Sequence, residues 1–245
     1  MICVFFSFNK EISSILERLE QRRHTKINGL SVYEGFFVNC RIRLVRTGMG
    51  CCEISGDILS GCESVISTGF CGGLSPDLEA GDIVFSREIV YITGKTIKAI
   101  MTGGLEDNIF RRSAVLQVPE PFRYVSSLEN KLQEAKPDSI FVHVGRTVTS
   151  ERILYDPGEK RSIHAYFDAV SVDMEDFFRA AFAQRRQLHV VCARAVLDRA
   201  EDTVPSLRSI KSVSHIPGLF KNYKKARHSI EMLVEDLVLS LTGER

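Results

Sequence analysis

Apolar positions fall into runs and stripes, and each kind predicts an element. A continuous apolar run at Ile2–Phe8 predicts a strand covered on both faces, and Ser64–Thr68, Ile140–Val144, Ala169–Val172 and Leu188–Val196 also read as strands. Leu30–Tyr33 and Phe36–Val45 flank Glu34-Gly35 and predict a hairpin turning there. A further β-rich run covers Ile83–Tyr91. Stripes at helical spacing predict helices. Ile12, Ile15, Leu16 and Leu19 mark Glu11–Arg22, with Asn9 as N-cap. Val125, Leu128 and Leu132 mark Tyr124–Ala135, and Ile230, Leu233 and Leu237 mark Leu219–Leu241. Cys51–Ser60, Lys160–Tyr166 and Asp176–Gln184 complete the helices. Thr93–Pro121, with Gly94, Gly103 and Gly104, reads as loops at a sheet edge. Val148–Leu154 leads away from its strand into a polar stretch, and a loop to about Ser214 precedes the closing helix.

This order, with a βαβ unit ending at Thr68, predicts an α/β fold. Residues 1–245 are read as a single three-layer α/β/α domain with a twisted mixed central β-sheet. Composition agrees: 44% apolar residues exclude a disordered chain. A net charge of +1 with 26% charged residues gives no field for nucleic acid or an anionic membrane. The expected partner is a small molecule or another protein chain. No apolar run reaches the length of a membrane span, and Ile2–Phe6 lacks a basic leader, so it reads as a strand rather than a signal peptide. Seven cysteines without a CxxC pair, and six histidines without ligand spacing, argue against a metal site. They point to reduced thiols in a cytoplasm. No cofactor is expected.

The chemistry gathers around Thr68–Asp82, TGFCGGLSPDLEAGD. A strand runs into Gly69, Gly72 and Gly73, which let a ligand approach main-chain N–H groups. In open α/β sheets, ligands bind at such strand ends. Gly48-Met49-Gly50 begins like a dinucleotide fingerprint, but Glu53 stands where Gly or Ala is needed, which argues against NAD. Three acids follow strands and can converge on the cradle: Glu11, Glu175 and Asp198. Each has an ordinary alternative, as a first-turn helix acid for Glu11 and Glu175 and as a loop cap for Asp198.

Thr68–Asp82, Val172-Asp173-Met174-Glu175 and Arg194-Ala195-Val196-Leu197-Asp198, with Thr47-Gly48-Met49-Gly50, resemble the signature segments of a known superfamily. It comprises purine nucleoside phosphorylases and methylthioadenosine/S-adenosylhomocysteine nucleosidases. Arg194–Pro205 and the Lys160 to Glu175 block are more similar to its hopanoid-associated branch. The resemblance implies cleavage of a purine nucleoside at the N-glycosidic bond in a homo-oligomer such as a dimer, with adenosylhopane as one candidate substrate. It implies that Glu175 holds the ribose hydroxyls beside Met174, that Asp198 serves purine N7, and that Glu11 orients or deprotonates water. Phe70, Cys71 and Gly72 would touch the substrate, and Ile153 and the backbone of Leu154 would meet the base. Phosphorylases of the superfamily grip phosphate with an arginine and a serine where this chain has Ser67 and Phe70. Water is therefore favoured, with phosphorolysis as the alternative if another arginine, such as Arg46, substitutes. Leu197 replaces a serine that orients the acid, Ser150-Glu151 replaces Gly-Asp, and Ile153 replaces an aromatic residue. These departures keep a catalytically silent nucleoside-binding protein open as well.

Overall fold

The structure, a computed structural model, describes residues 1–50, 54, 56–102, 114–118, 122–135, 140–203 and 217–243. β1 (Ile2–Phe6) is wholly buried and lies between two parallel neighbours, β4 (Cys40–Arg46) and β5 (Ser64–Ser67). Its alternating side chains feed two cores. Ile2, Val4 and Phe6 pack towards the last helix, with Ile230, Leu233 and Leu237. Cys3 and Phe5 pack on the other face with Ala180, Phe182 and Ala183. A sheet covered on both faces by helices results, the three layers the sequence predicts.

Among the described residues eleven strands form the sheet, and β11 (His189–Asp198) joins its two halves. Residues His189 to Cys192 pair in parallel with β5. Ala195 to Asp198 pair in parallel with β6 (Phe70–Gly73), and Ala193 to Ala195 run antiparallel to β7 (Ile83–Ile92). From β6 the order continues through β10 (Ala169–Asp173) and β9 (Val142–Ser150) to β7, so these strands close a ring on β11. β8 (Ala114–Gln117) is an outer edge paired with β7. β2 (Glu20–Ile27) and β3 (Leu30–Phe37) extend the other end beyond β4.

Helices α1 (Ser13–Glu17), α2 (Gly94–Met101), α3 (Phe122–Ala135), α4 (Pro157–Phe167), α5 (Asp176–Gln184) and α6 (Pro217–Thr242) complete the described elements. None is long and apolar enough to cross a membrane.

Several local expectations are corrected. The stripe Ile12, Ile15, Leu16 and Leu19 is buried, but its helix covers only Ser13–Glu17, with Ile12 rather than Asn9 at the N-cap. The chain then becomes strand β2, exposed along nearly its whole length, whose polar sequence EQRRHTKI carries no alternation to reveal it. Glu34-Gly35 lies inside β3. Gly35 is there because a Cβ would meet Glu20 O at 2.4 Å, and the turn is Val38-Asn39, with φ of 47° and 63°. Thr93–Pro121 is not all loop: Thr93 caps α2 by accepting from Thr96 N, and Ala114–Gln117 is β8. Residues 103–113 and 119–121 lie outside the described residues. Of the expected helix Cys51–Ser60, Gly56–Leu59 is a 3-10 turn, and 51–53 and 55 lie outside the described residues. Val148 to Ser150 remain in strand β9. Most of the expected loop before the last helix, 204–216, is likewise outside them.

Candidate active site

Acidic side chains from three distant parts of the chain meet around β6. Glu11 reaches it from the turn after β1. Its Oε2 accepts from Ser7 N (2.7 Å) and Phe8 N (2.9 Å), and its Oε1 from Phe70 N (3.2 Å). Glu175 stands between β10 and α5. Its Oε1 accepts from Gly50 N at 2.9 Å, and its Oε2 lies 3.0 Å from Arg194 Nη1. That same Nη1 donates to Phe70 O at 3.0 Å. Glu11 thus holds the N–H of Phe70, while Glu175 is tied to its C=O through Arg194. Asp198, at the end of β11, is in register with Gly72, and a Cβ on Gly72 would meet its Oδ2 at 3.2 Å. Gly69 is covered more closely. Its φ is +144°, and a Cβ would come within 2.7 Å of Glu11 Oε1.

The ordinary readings of these acids do not match the geometry. Glu11 precedes α1, and its carboxylate closes a turn. Glu175 occupies an N-cap position but makes no side-chain cap bond. Asp173 does that work: its Oδ1 accepts from Glu175 N (2.8 Å), Asp176 N (2.9 Å) and Thr149 Oγ1 (2.9 Å). Likewise Asp202, not Asp198, receives Arg199 N at 2.8 Å. The Glu175 and Asp198 carboxylates are therefore not consumed by capping.

The remaining anticipated residues fall at different places. Met174 Cε lies 3.9 Å from the Cβ position of Gly50, beside Glu175. The Phe70 ring meets Tyr223 of α6 edge-on at 5.6 Å, and Tyr223 donates to Lys10 O at 3.0 Å. Cys71 points its side chain into a cluster with Leu78, Val84 and Val196, so only its backbone is left for a ligand, and burial pushes its thiol far up. Ile153 and Leu154 form the turn from β9 to α4. Ile153 is half-buried and its carbonyl accepts from Arg152 Nη1 at 3.2 Å, while Leu154 packs with Leu74, Val148 and Val172.

Beneath the acids lies a buried charge network. Arg194 Nη2 donates to Asp176 Oδ1 at 2.7 Å, and Ser67 Oγ donates to the same oxygen at 2.6 Å. Arg179 binds Thr47 Oγ1 (2.6 Å), Ser7 Oγ (2.9 Å) and Thr68 O (3.3 Å). Burial raises the Glu11 carboxyl. Burial also raises Asp198, with Lys160 opposing. Burial and the neighbouring Asp176 push Asp173 up to about 7. Asp176 stays below its usual range because Arg194 and Ser67 outweigh its burial.

Asp173 has a consequence for stability. A carboxyl whose folded pKa lies above its unfolded value stabilises the fold at low pH, and loses that contribution as pH rises through about 7. Asp173→Asn keeps the acceptor and does not titrate. Its melting temperature should fall less between pH 5 and 8 than that of the unmodified protein. Parallel curves from differential scanning calorimetry would show that Asp173 does not carry this pH dependence.

The network includes residues to which the sequence reading gives no role: Lys160, Asp173, Asp176, Arg179 and the N–H of Gly50. For the two basic residues the signal is a charge inside an apolar pattern. Lys160 shares the buried side of α4 with Ile163 and Phe167, and Arg179 shares that of α5 with Ala180, Phe182 and Ala183.

A mixed sheet that presents glycines and converging acids where β6 meets β11 defines the class. Residues 2–217 match the family model described as the Phosphorylase superfamily, and the chain belongs to that superfamily. It is 27% identical over 211 residues to the 5′-methylthioadenosine/S-adenosylhomocysteine nucleosidase of Anoxybacillus flavithermus, covering 81% of this chain and 85% of that one. Among solved structures, it resembles the nucleosidase of the same name from Colwellia psychrerythraea in complex with adenine. There the TM-score is 0.74 at 17% identity, over 100% of this chain and 96% of the other. Futalosine hydrolase of Helicobacter pylori is also similar, with a TM-score of 0.68 at 16% identity, over 95% and 96% of the two chains.

Proposed function

We propose that this protein hydrolyses the N-glycosidic bond of a purine nucleoside, releasing adenine. The observation that carries the choice of water is the charge balance beneath the cradle. Four buried carboxylates, Glu11, Asp173, Glu175 and Asp176, face two buried guanidiniums, Arg179 and Arg194. The terminal nitrogens of both arginines are already bound within the fold. Arg46 is exposed and donates to Ser31 Oγ at 3.2 Å. A phosphate needs charge-assisted donors, and this site offers it acids. The same acids suit a ribose that becomes cationic as its bond to the base breaks.

In this reading Glu175 accepts from the ribose 2′- and 3′-hydroxyls, and Met174 packs on the sugar. Glu11 takes the proton of the attacking water, a role its raised proton affinity favours. Asp198 gives a proton to N7 of the leaving base, and burial keeps that carboxyl a better proton carrier than a free aspartate. Phe70, Gly72 and the backbone of Cys71 border the ribose, while Ile153 and the backbone of Leu154 meet the base. The names of the curated relative and the similar structures support the nucleosidase reading. Free thiols buried at Cys3, Cys62, Cys71 and Cys192 support a reducing, cytoplasmic setting. A homodimer completes the proposal, to be checked by sedimentation.

The test is base release from adenosine, methylthioadenosine, inosine and adenosylhopane in phosphate-free buffer. Release is expected without phosphate, and no ribose 1-phosphate should form when phosphate is added. Strict dependence on phosphate would assign phosphorolysis instead.

A further inference from the structure

Asp198 is held by a lysine that the mechanism above leaves without a task. Lys160 lies on α4, and its side chain is 0% exposed. Nζ donates to Asp198 Oδ2, to Arg199 O at 2.6 Å and to Asp202 O at 3.2 Å. Those acceptors occupy its three N–H bonds and fix where the ammonium sits. Asp198 Oδ1 has no hydrogen-bond partner among the described residues, and it lies 3.5 Å from the Cβ position of Gly72. Leu197, the residue before Asp198, packs on the apolar core and has no side-chain donor to offer. Burying an ammonium is costly unless its partners are well placed. An apolar side chain beside Ile163 and Phe167 would fill the helix face without that cost.

We propose that Lys160 is a positioning residue for Asp198. It holds Oδ2 so that Oδ1 faces the purine, and its charge stabilises the carboxylate that remains once Asp198 has given up its proton. The inference rests on Asp198 serving as the acid. In the step, the Asp198 O–H bond breaks as N7–H forms, and the O–H electron pair stays on Asp198. The electrons of the glycosidic bond leave with the base. Water oxygen bonds to the anomeric carbon, and its proton passes to Glu11. Lys160 keeps all its protons throughout.

The titratable groups facing Asp198 are Lys160 from α4, Asp202 from the turn after β11, and Cys71 from β6. Asp202 is itself paired with Arg199 at 3.2 Å, and Arg199 also lies 3.5 Å from Glu79. Burial raises Asp198, Lys160 lowers it, and Asp202 adds to the rise. The Cys71 thiol stays neutral. Removing the lysine must therefore move protonation of Asp198 to higher pH.

The experiment compares the unmodified protein with Lys160→Met and Lys160→Gln, the second of which keeps an N–H donor without charge and guards against a variant that fails to fold. Turnover is followed across pH, and adenine affinity across pH is followed by calorimetry. For Met, kcat should fall roughly ten- to hundred-fold, the loss expected of one charge-assisted hydrogen bond. KM should change less than about threefold, since the effect lies in the proton-transfer step. Gln should be less impaired. The alkaline limb of kcat and the pH midpoint of adenine binding should both move upward, which a purely structural lysine would not cause. An unmoved midpoint in both variants, or an unchanged kcat, overturns the proposal. If the unmodified protein releases no base, the nucleosidase reading fails, while the adenine midpoint still decides the role of Lys160. If it binds no adenine either, both fail.

Discussion

Asp198→Asn should release adenine from a purine nucleoside about 10²–10⁴-fold more slowly than the unmodified protein, the usual contribution of a positioned general acid. The amide still offers a hydrogen bond over Gly72, where the carboxylate lies 3.2 Å from the Cβ position. Affinity for an adenosine analogue should therefore change by less than about tenfold. Equal rates of release would remove Asp198 from the mechanism. Binding without release, by the unmodified chain and the variant alike, would favour a silent nucleoside binder. Leu197 offers Asp198 no side-chain donor, whereas Lys160 on α4 donates to its carboxylate.

Arg194→Met should lower the free energy of unfolding by about 3–5 kcal/mol at neutral pH, because it leaves buried acids without their counter-ion. The guanidinium lies 2.7 Å from Asp176 Oδ1, 3.0 Å from Glu175 Oε2 and 3.7 Å from Asp173 Oδ2. It also supplies the donor to Phe70 O. The deficit should shrink as pH is lowered, since the stranded carboxylates can then take up protons. Urea unfolding at pH 5 and pH 8 measures both effects. A loss below about 1 kcal/mol at pH 8, or the same loss at both, would mean that the acids find other compensation.

How far the fold was legible depended on how each segment is buried. β1 announces itself by an unbroken apolar run covered on both faces, and β11 by a buried run interrupted by Arg194. The helix Asp176–Gln184 has the expected bounds, and Asp173, immediately upstream, accounts for its start by capping it. β2 was illegible because an exposed edge strand has no apolar face to show, and only pairing with β3 draws it out. Gly35 was misleading for a different reason: a glycine signals a turn in sequence, while here it admits a crossing main chain. The acids Glu11, Glu175 and Asp198 were legible by their position after strands. What binds them was not, because Arg194, Gly50 and Lys160 reach them across more than one element. Lys160 is the instructive case. It reads as an ordinary helix lysine until its register with Ile163 and Phe167 puts it on the buried side.

The place of β11 in the sheet has a consequence for synthesis. β5 and β6 are complete by Gly73, yet the strand that fills the gap between them begins at His189. A ribosome adding 5–20 residues per second takes on the order of ten seconds to cover that interval. Throughout it, Ile66 and Phe70 lack their partners Val191 and Ala195, and strand edges left bare invite pairing with another chain. Arg194, the counter-ion of the waiting acids, arrives on that same late strand. A stall in translation between β6 and β11 should therefore leave a nascent chain that depends on a chaperone to stay unaggregated.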